Sequence, residues 1–305
     1  MFLINESNEF PEKSIRDLKK YGDVFFQNDT YNKNDIKVLF IRLNKMIDKK
    51  FIEEFPQLTH IVSPTTGLNH IDLDFIKLKG INLISLKGKF DFLENIHATS
   101  EYTIAITLSL LRKIHLAAQS VSDGKWNRYP FKGNEINSKK VLIIGYGRIG
   151  RKVCKIFKAF GADVMAYDTN QEKVPKEYFC DINSYIKIAD IVSIHIPYCA
   201  DNKGFINDRL IKSMKKESIL INTSRGEVVD QNALFNSLLN KDISGAALDV
   251  LWDEPNPVST KLKNLLANAG ENILITPHIG GFTNESLTKV EEYVTDLLIQ
   301  EIGKK

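Results

Sequence analysis

The sequence is poor in cysteine and contains no long apolar run. Its three cysteines, Cys154, Cys180 and Cys199, form no CxxC pair and have no metal-ligand spacing, so we expect neither a disulfide framework nor a bound metal. Free thiols are typical of a reducing compartment. No apolar stretch approaches the roughly 20 residues of a membrane span, and the acidic start MFLINESNEFPEK has no signal-peptide core. We therefore expect a cytoplasmic protein without a membrane partner.

The chain also has a small net charge. The chain has 41 basic and 38 acidic residues, a net charge of +3, and its lysines are scattered. A nucleic-acid-binding protein would need a basic patch, which this pattern does not provide, so no nucleic-acid partner is expected. With 305 residues, of which 43% are hydrophobic, the chain is long enough for two domains with ordinary cores.

The sequence does contain a sustained alternation of short apolar runs and helical patterns. The predicted strands are 37–43, 59–63, 82–86, 140–144, 163–167, 191–194, 218–222, 245–249 and 272–276. The predicted helices are 48–54, 72–79, 98–120, 149–160, 230–240 and 284–302. Strands that alternate with helices in this way predict an α/β fold with parallel sheets.

A glycine-rich motif follows the predicted strand 140–144. Gly145, Gly147 and Gly150 form GxGxxG, and a predicted helix begins at once. In a dinucleotide site the first glycine permits a tight turn, the second lets the backbone approach the pyrophosphate, and the third lets helix and strand pack closely. The helix N-terminus offers free N–H groups and partial positive charge to the phosphates. The strand–motif–helix order therefore predicts dinucleotide binding.

An acidic residue ends the next predicted strand. Asp168 stands 18 residues after Gly150 and is followed by Thr169 and Asn170 rather than by an arginine. A carboxylate here accepts hydrogen bonds from both ribose hydroxyls and repels a 2′-phosphate. The sequence therefore predicts NAD, rather than NADP, as the cofactor.

Three downstream segments each follow a predicted strand: NTSRG at 222–226, DEP at 253–255 and TPHIGG at 276–281. In this order behind GxGxxG, they resemble the D-isomer-specific 2-hydroxyacid dehydrogenases, which include D-lactate, glyoxylate/hydroxypyruvate and D-3-phosphoglycerate dehydrogenases. The resemblance extends over most of the chain. TGLNHID at 66–72 resembles the family's substrate loop, and HIP at 195–197 resembles the segment beside the adenine and ribose.

The resemblance implies a fold and an assembly. We expect an α/β protein of two doubly wound parallel-sheet domains with an interdomain cleft. Residues 98–276 would form the Rossmann NAD-binding domain, and residues 1–97 plus 277–305 a flavodoxin-like substrate-binding domain. The long helix that starts near Ala98 contributes to dimers in the family, so a homodimer is also expected.

The resemblance further implies an interconversion of a D-2-hydroxy acid and a 2-keto acid. Arg225 would hold the substrate carboxylate, Glu254 would pair with the catalytic histidine, and His278 would be the general acid/base. These roles suit the chemistry, because a histidine titrates near neutrality, a nearby carboxylate stabilises its charged form, and arginine binds a carboxylate with two parallel hydrogen bonds.

The same matches imply two sets of binding residues. Those expected to bind the cofactor are Gly145, Gly147, Arg148, Ile149, Gly150, Asp168, His195, Pro197, Thr223, Ser224, Arg225, Asp249, His278 and Gly280. Those expected to bind the substrate are Thr66, Gly67, Leu68, Arg225 and His278.

Some features leave alternatives open. Residues 86–97 form a segment longer than the family's short proline–glycine loop, which is either a tolerated surface insertion or an altered substrate pocket with Lys87 or Lys89 facing an anion. Corepressors with the same fold keep the Arg–Glu–His set, so an NAD(H)-sensing interaction protein is one alternative. A family member that oxidises another small hydride donor, formate or phosphite, is another.

Overall fold

The structure is a computed structural model, and it describes residues 1–6, 9–256, 259–268 and 272–303 of the chain. The chain divides into two compact units, one of Met1–Ile96 with Phe282–Lys305 and one of His97–Gly281. Residues 277–281, which carry the histidine of TPHIGG, thus lie in the second unit. Among the described residues, no helix combines the length and apolar character needed to cross a membrane.

The first unit is built on a five-stranded parallel sheet in the order β2-β1-β3-β4-β5. This is the flavodoxin-like order. The strands are β1 (Phe2–Ile4), β2 (Val24–Phe26), β3 (Val38–Phe40), β4 (His60–Ser63) and β5 (Asn82–Ser85). The helices are α1 (Glu12–Leu18), α2 (Lys49–Glu53), α3 (Leu73–Leu78), α4 (Phe90–Glu94) and the C-terminal helix α12 (Asn284–Ile302).

Both faces of this sheet are covered. Phe2 and Ile4 of β1 belong to one apolar cluster and Leu3 to the other, because successive side chains of a strand point to opposite faces. Helix α12 covers the first face with Val290 and Val294. Strands buried on both faces read as continuous apolar runs, which explains the sequences of β1 and β3.

The second unit contains a six-stranded parallel sheet in the order β11-β10-β9-β8-β6-β7. Its strands are β6 (Lys140–Ile144), β7 (Asp163–Tyr167), β8 (Ile191–Ile194), β9 (Ile219–Asn222), β10 (Gly245–Leu248) and β11 (Ile273–Ile275). Its helices are α5 (Ala98–Leu111), α6 (Ile114–Ser122), α7 (Arg148–Ala159), α8 (Ile182–Tyr185), α9 (Asp208–Lys212), α10 (Gln231–Asn240) and α11 (Thr260–Asn268).

A parallel bridge between Ala166 and Phe179 adds one more pairing outside β7. With it, the second unit has the Rossmann strand order, in which the order reverses between β6 and β8. Two apolar clusters flank this sheet, with Leu142 and Ile144 in one and Val141 and Ile143 in the other. The predicted α/β class with two doubly wound parallel sheets is therefore confirmed.

The prediction of one long helix over 98–120 is wrong. The helix breaks at Arg112 and Lys113, and Lys113 has a left-handed backbone with φ of 52°. The cause is tertiary, because the N–H of Asn134 donates to the carbonyl oxygen of Leu111 and a Cβ on Gly133 would lie 2.4 Å from that oxygen. The segment at Gly133 and Asn134 thus packs against the C-terminal end of α5 and ends the helix there.

Several elements were not predicted from the sequence, among them β1, β2, α1 and the helix within residues 86–97. That segment is not merely a surface insertion, since α4 carries Leu93 into the core of the first unit and Leu86 and Ile96 flank it there. Lys87 is exposed. Short elements of this kind escape periodicity, which needs a window of about 11 residues or more.

We predict that Phe157→Ala, at a fully buried position of α7, lowers the free energy of unfolding of the second unit by about 3–5 kcal/mol. The loss combines removed apolar burial with the cavity left under the helix. Urea unfolding followed by circular dichroism measures it. The control is Phe160→Ala at the end of the same helix, where the ring is 42% exposed. Equal shifts of the two unfolding midpoints would contradict the prediction.

Candidate active site

The candidate site lies at the carboxyl edge of the second sheet. All six strands are parallel, so the loops that follow them leave from the same edge. Open α/β sheets bind ligands at this edge, beside the point where the strand order reverses. Here that point lies between β6 and β8, and the loops that follow these two strands carry the glycine motif and His195.

The three glycines of the motif meet different surroundings. Gly145 has φ of +95°, and a Cβ there would lie 2.8 Å from the carbonyl group of His195. A Cβ on Gly150 would lie 1.9 Å from the carbonyl oxygen of Gly145, so only glycine lets α7 pack this closely on the turn. A Cβ on Gly147 would meet nothing within 4 Å. The space over Gly147, at the start of the 12-residue helix α7, fits the approach of a pyrophosphate.

Asp168 is tied to this glycine loop. Its Oδ2 accepts the N–H of Tyr146 at 2.8 Å, and its Oδ1 accepts the N–H of Asn170 at 2.9 Å. A carboxylate has about four acceptor positions, so these two bonds orient the group and leave capacity for ribose hydroxyls. The loop and the acid therefore fit an NAD molecule together.

His195 directly follows β8, and its side chain is an uncharged part of the site's lining. Its Nε2 lies 2.8 Å from Ser193 Oγ, and its N–H donates to the carbonyl of Ile144. Desolvation lowers the pKa of His195 to about 3, so the ring carries no charge near neutrality. The segment therefore shapes the site by its backbone and bulk rather than by charge.

The NTSRG segment is folded around Asn222. The side-chain oxygen of Asn222 accepts the N–H of Ser224 at 3.0 Å and the Ser224 hydroxyl at 2.7 Å, while its Nδ2 donates to the carbonyl of Arg225 at 2.8 Å. Thr223 is buried, with its hydroxyl 2.8 Å from that of Thr103. This Asn-centred turn gives Arg225 its position at the end of β9.

The loop after β9 is held against the loop after β10. Trp252 donates its indole N–H to the carbonyls of Gly226 and Val229, each at 2.9 Å, and its main-chain N–H to Gln231 Oε1. A Cβ on Gly226 would lie 2.2 Å from the carbonyl carbon of Leu251, so only glycine allows this approach. These contacts join the loop of Arg225 to the loop of Glu254. The sequence reasoning missed Trp252 and Gln231, since neither belongs to a motif.

The buried carboxylate of Asp249 organises the TPHIGG loop. It accepts the Thr276 hydroxyl at 2.7 Å, the N–H of Ile279 at 2.9 Å and the N–H of Gly280 at 2.7 Å. Its carbonyl accepts the N–H of His278 at 2.8 Å. Burial raises the pKa of Asp249, and these hydrogen bonds oppose the rise. Asp249 was expected to bind the cofactor; in the structure its carboxylate is engaged by the TPHIGG loop.

His278 and Glu254 form a direct pair. His278 Nδ1 lies 2.5 Å from Glu254 Oε2, and Glu254 Oε1 accepts the N–H of Leu251 at 2.7 Å. His278 has φ of 55°, a left-handed conformation that is uncommon for a residue with a side chain. Desolvation lowers the pKa of Arg225. The negative charges of Glu254 and Glu227 oppose that shift, because each carboxylate favours the charged guanidinium.

The expected substrate-loop residues lie in the first unit. Thr66, Gly67 and Leu68 follow β4 at the carboxyl edge of its sheet, and Thr66 is exposed. Thr65 Oγ1 donates to the carbonyl of Gly67 at 2.9 Å and holds the turn. Arg148 and Ile149 occupy the first turn of α7, and Pro197 lies exposed after β8.

Comparison with known proteins decides the family. Residues 104–280 match the model for "D-isomer specific 2-hydroxyacid dehydrogenase, NAD binding domain". The chain belongs to this family. The dehydrogenase is 31% identical to hydroxypyruvate reductase of Thermotoga maritima, over 88% of this chain and 86% of that protein. It is 30% identical to glyoxylate reductase of Thermococcus litoralis, over 96% of this chain and 91% of that protein.

Solved structures agree with the sequence relatives. A D-lactate dehydrogenase from Aquifex aeolicus, complexed with NAD and lactic acid, aligns with a TM-score of 0.81 at 25% identity and covers all of this chain and 96% of that one. The dehydrogenase is thus an NAD-dependent enzyme of the 2-hydroxyacid class, as predicted. None of these findings favours the corepressor-like or the formate- and phosphite-oxidising alternatives.

We predict that His195 makes the dehydrogenase less stable in acid. Because its folded pKa of about 3 lies below the unfolded value of 6.5, the unfolded chain binds an extra proton in this range. The free energy of unfolding should therefore fall as the pH drops from 6.5 towards 3, by about 1.4 kcal/mol per pH unit at most from this residue. Urea titrations across that range should show a shallower slope for His195→Gln than for the wild type. Parallel slopes would rule this out.

Proposed function

We propose that the enzyme interconverts a small 2-keto acid and its D-2-hydroxy acid, with His278 as general acid/base, Glu254 as its partner and Arg225 as the carboxylate anchor. The observation that carries the proposal is the 2.5 Å contact between His278 Nδ1 and Glu254, in a site where Glu254 also acts on the charge of Arg225. The names of the relatives, glyoxylate and hydroxypyruvate reductase, support a small keto acid.

The histidine pair accounts for the proton. Since Nδ1 faces Glu254, Nε2 is the nitrogen that holds a proton for the substrate. The carboxylate stabilises the imidazolium and fixes the plane of the ring. In the reductive direction Nε2 donates this proton to the oxygen on C2, and in the oxidative direction it removes the hydroxyl proton. Bound NADH supplies the hydride that C2 receives.

Arg225 accounts for the orientation of the substrate. A guanidinium presents parallel N–H donors that match the two oxygens of a carboxylate. Arg225 is half-buried, and Glu254 and Glu227 favour its charged form. An anchored carboxylate fixes the adjacent C2, and positioning of this kind supplies a large share of catalysis.

We propose that the cofactor binds along the carboxyl edge of the second unit's sheet, through the cofactor-binding residues expected from the sequence. Gly145, Gly147 and Gly150 with the first turn of α7 would hold the pyrophosphate, and Asp168 would hold the adenosine ribose. The remaining members of the set would lie along the cofactor up to its nicotinamide end: His195, Pro197, Thr223, Ser224, Arg225, Asp249, His278 and Gly280. We also propose that the first unit is the substrate domain, with Thr66, Gly67 and Leu68 among its substrate-binding residues.

The test is NADH oxidation with glyoxylate, hydroxypyruvate and pyruvate. We expect turnover by the wild type and a loss of kcat of about 100- to 10,000-fold in His278→Gln, the range that general acid–base catalysis contributes. Arg225→Lys should mainly raise KM, because it keeps the charge and loses the planar fork. The matched control is His97→Gln, since His97 is exposed and its side chain makes no capping hydrogen bond.

Two results would overturn the proposal. One is a wild-type enzyme that binds NADH and reduces none of the keto acids. The other is His278→Gln with wild-type kcat.

We further propose a homodimer formed through the surface of residues 114–129. Trp126 is 92% exposed and Tyr129 81% exposed, and Ile114 and Val121 of α6 are exposed as well. Tryptophan and tyrosine are enriched in protein interfaces, and clustered exposed apolar residues mark association sites.

We also place the enzyme in the cytoplasm, because its three cysteines are free thiols, as is typical of a reducing compartment.

Light scattering after size exclusion should give twice the chain mass of 34.7 kDa at micromolar concentration. Trp126→Ser with Tyr129→Ser should move the protein towards the monomer, since the pair removes apolar contact area. Leu78→Ser, at another exposed apolar position, is the control. A wild-type monomer, or a double variant that stays fully dimeric, would contradict the proposed surface.

A further inference from the structure

Trp252 lies between the two loops that carry Arg225 and Glu254. It belongs to the segment after β10, two residues before Glu254. Its indole N–H donates to the carbonyl oxygens of Gly226 and Val229, each at 2.9 Å. These oxygens lie at the two ends of the short turn that follows Arg225. One side-chain donor therefore spans the whole turn.

The main chain around Trp252 makes two further bonds. The N–H of Trp252 donates to Gln231 Oε1 at 2.9 Å, and the N–H of Leu251 donates to Glu254 Oε1 at 2.7 Å. Two successive main-chain donors thus hold the first residue of α10 and the carboxylate of Glu254. Because the indole is attached to this same segment, the position of the turn after Arg225 is linked to the position of Glu254.

The turn has separate support from the loop that follows β8. The N–H of Gly204 donates to the carbonyl of Glu227 at 2.8 Å, and the N–H of Ile206 donates to the carbonyl of Val228 at 3.0 Å. A parallel bridge joins the same two segments. Removal of the indole donor therefore takes away one of two supports, so we expect variants of Trp252 to fold.

The direction of the Arg225 guanidinium depends on this main chain. Arg225 directly precedes the turn in an extended conformation, with φ of −146° and ψ of 144°. Its Nη1 donates to the carbonyl of Ser224 at 2.6 Å, which ties the guanidinium to the backbone beside it. A planar guanidinium binds a carboxylate through two parallel hydrogen bonds, so a small rotation of the backbone misaligns both of them.

We propose that Trp252 is a positioning residue, which holds Arg225 in place relative to Glu254 so that the substrate carboxylate and the proton-transfer pair are aligned. This inference rests on the proposed function and adds a residue to its machinery. Trp252 acts through the turn after Arg225 rather than on the substrate. Alignment of this kind supplies a large share of catalysis, and it depends on residues that lock the binding groups by hydrogen bonds.

The first experiment is Trp252→Phe, which removes the indole donor and keeps an aromatic ring. We expect KM for the keto acid to rise about 10-fold, because two hydrogen bonds that orient the turn after Arg225 are lost. KM for NADH should keep its wild-type value. A purely structural role would instead lower the melting temperature and the amount of active enzyme, and would leave both KM values unchanged.

The matched control is Tyr185→Phe. It also removes one donor carried by a ring, since the Tyr185 hydroxyl donates to Asp163 Oδ2 at 3.5 Å. Asp163 is the first residue of β7, so this bond lies at the amino edge of the sheet, opposite the candidate site. Tyr185→Phe should therefore keep both KM values of the wild type.

A double variant tests the route through Arg225. If Trp252 acts by aligning the planar fork of Arg225, then Trp252→Phe should raise KM for the keto acid less in an Arg225→Lys background than in the wild type. Independent effects would multiply, so the double variant distinguishes alignment of Arg225 from a separate disturbance of the site.

A binding measurement needs no turnover. Oxamate is a carboxylate that mimics pyruvate and does not accept a hydride, and calorimetry gives its Kd for the enzyme saturated with NADH. This Kd should rise about 10-fold in Trp252→Phe and stay unchanged in Tyr185→Phe. Gln231→Met removes the acceptor of the Trp252 main-chain N–H and should weaken oxamate binding in the same direction. It decides the matter if Trp252→Phe does not fold by circular dichroism.

The outcomes separate the two proposals. A wild type that binds oxamate and reduces none of the keto acids contradicts the proposed function, and the oxamate affinities then decide the role of Trp252. A wild type that neither reduces a keto acid nor binds oxamate contradicts both. A folded Trp252→Phe that keeps the wild-type KM and oxamate affinity overturns the inference alone, and so does a double variant in which the two effects multiply.

Discussion

The carboxylate of Asp249 is the constraint on which the candidate site depends. It is buried at the end of β10 and has three hydrogen-bond donors, all from the TPHIGG loop. An unpaired buried carboxylate is costly, so the loop must take the one shape that supplies these donors. That shape includes the left-handed backbone of His278 and places its ring against Glu254. A single buried charge thereby determines where the histidine points.

Close backbone approaches do the same for the neighbouring loops. Gly226 lies against Leu251, and Gly145 lies against the main chain of His195, at distances that leave no room for a side chain. Each approach joins loops from two different strands of the sheet. Trp252 strengthens the first junction by donating to both ends of the turn after Arg225. The loops of the site therefore contact one another directly, because adjacent parallel strands end at one edge of the sheet and glycine permits the close approach.

Much of the fold followed from periodicity and motif order. Apolar runs such as 140–144 and 191–194 are buried on both faces of a parallel sheet, which makes them visible as strands. The break at Lys113 was not visible, since Leu111 is capped by the chain at Asn134, more than 20 residues later. The helix α4 was missed because five residues are too few to show a period.

By itself, the sequence determined the α/β class, the glycine motif with Asp168, and the family that the order of motifs indicates. These are local properties, since each motif carries its own strand, turn and helix signals within a few residues. Only the tertiary structure decided that His278 Nδ1 meets Glu254, that Asp249 holds the loop, and that Glu291 engages Arg42. Arg42 and Glu291 are 249 positions apart, and no local pattern connects them. Their pairing arises because helix α12 packs on the sheet that presents Arg42, and burial then favours opposite charges in contact.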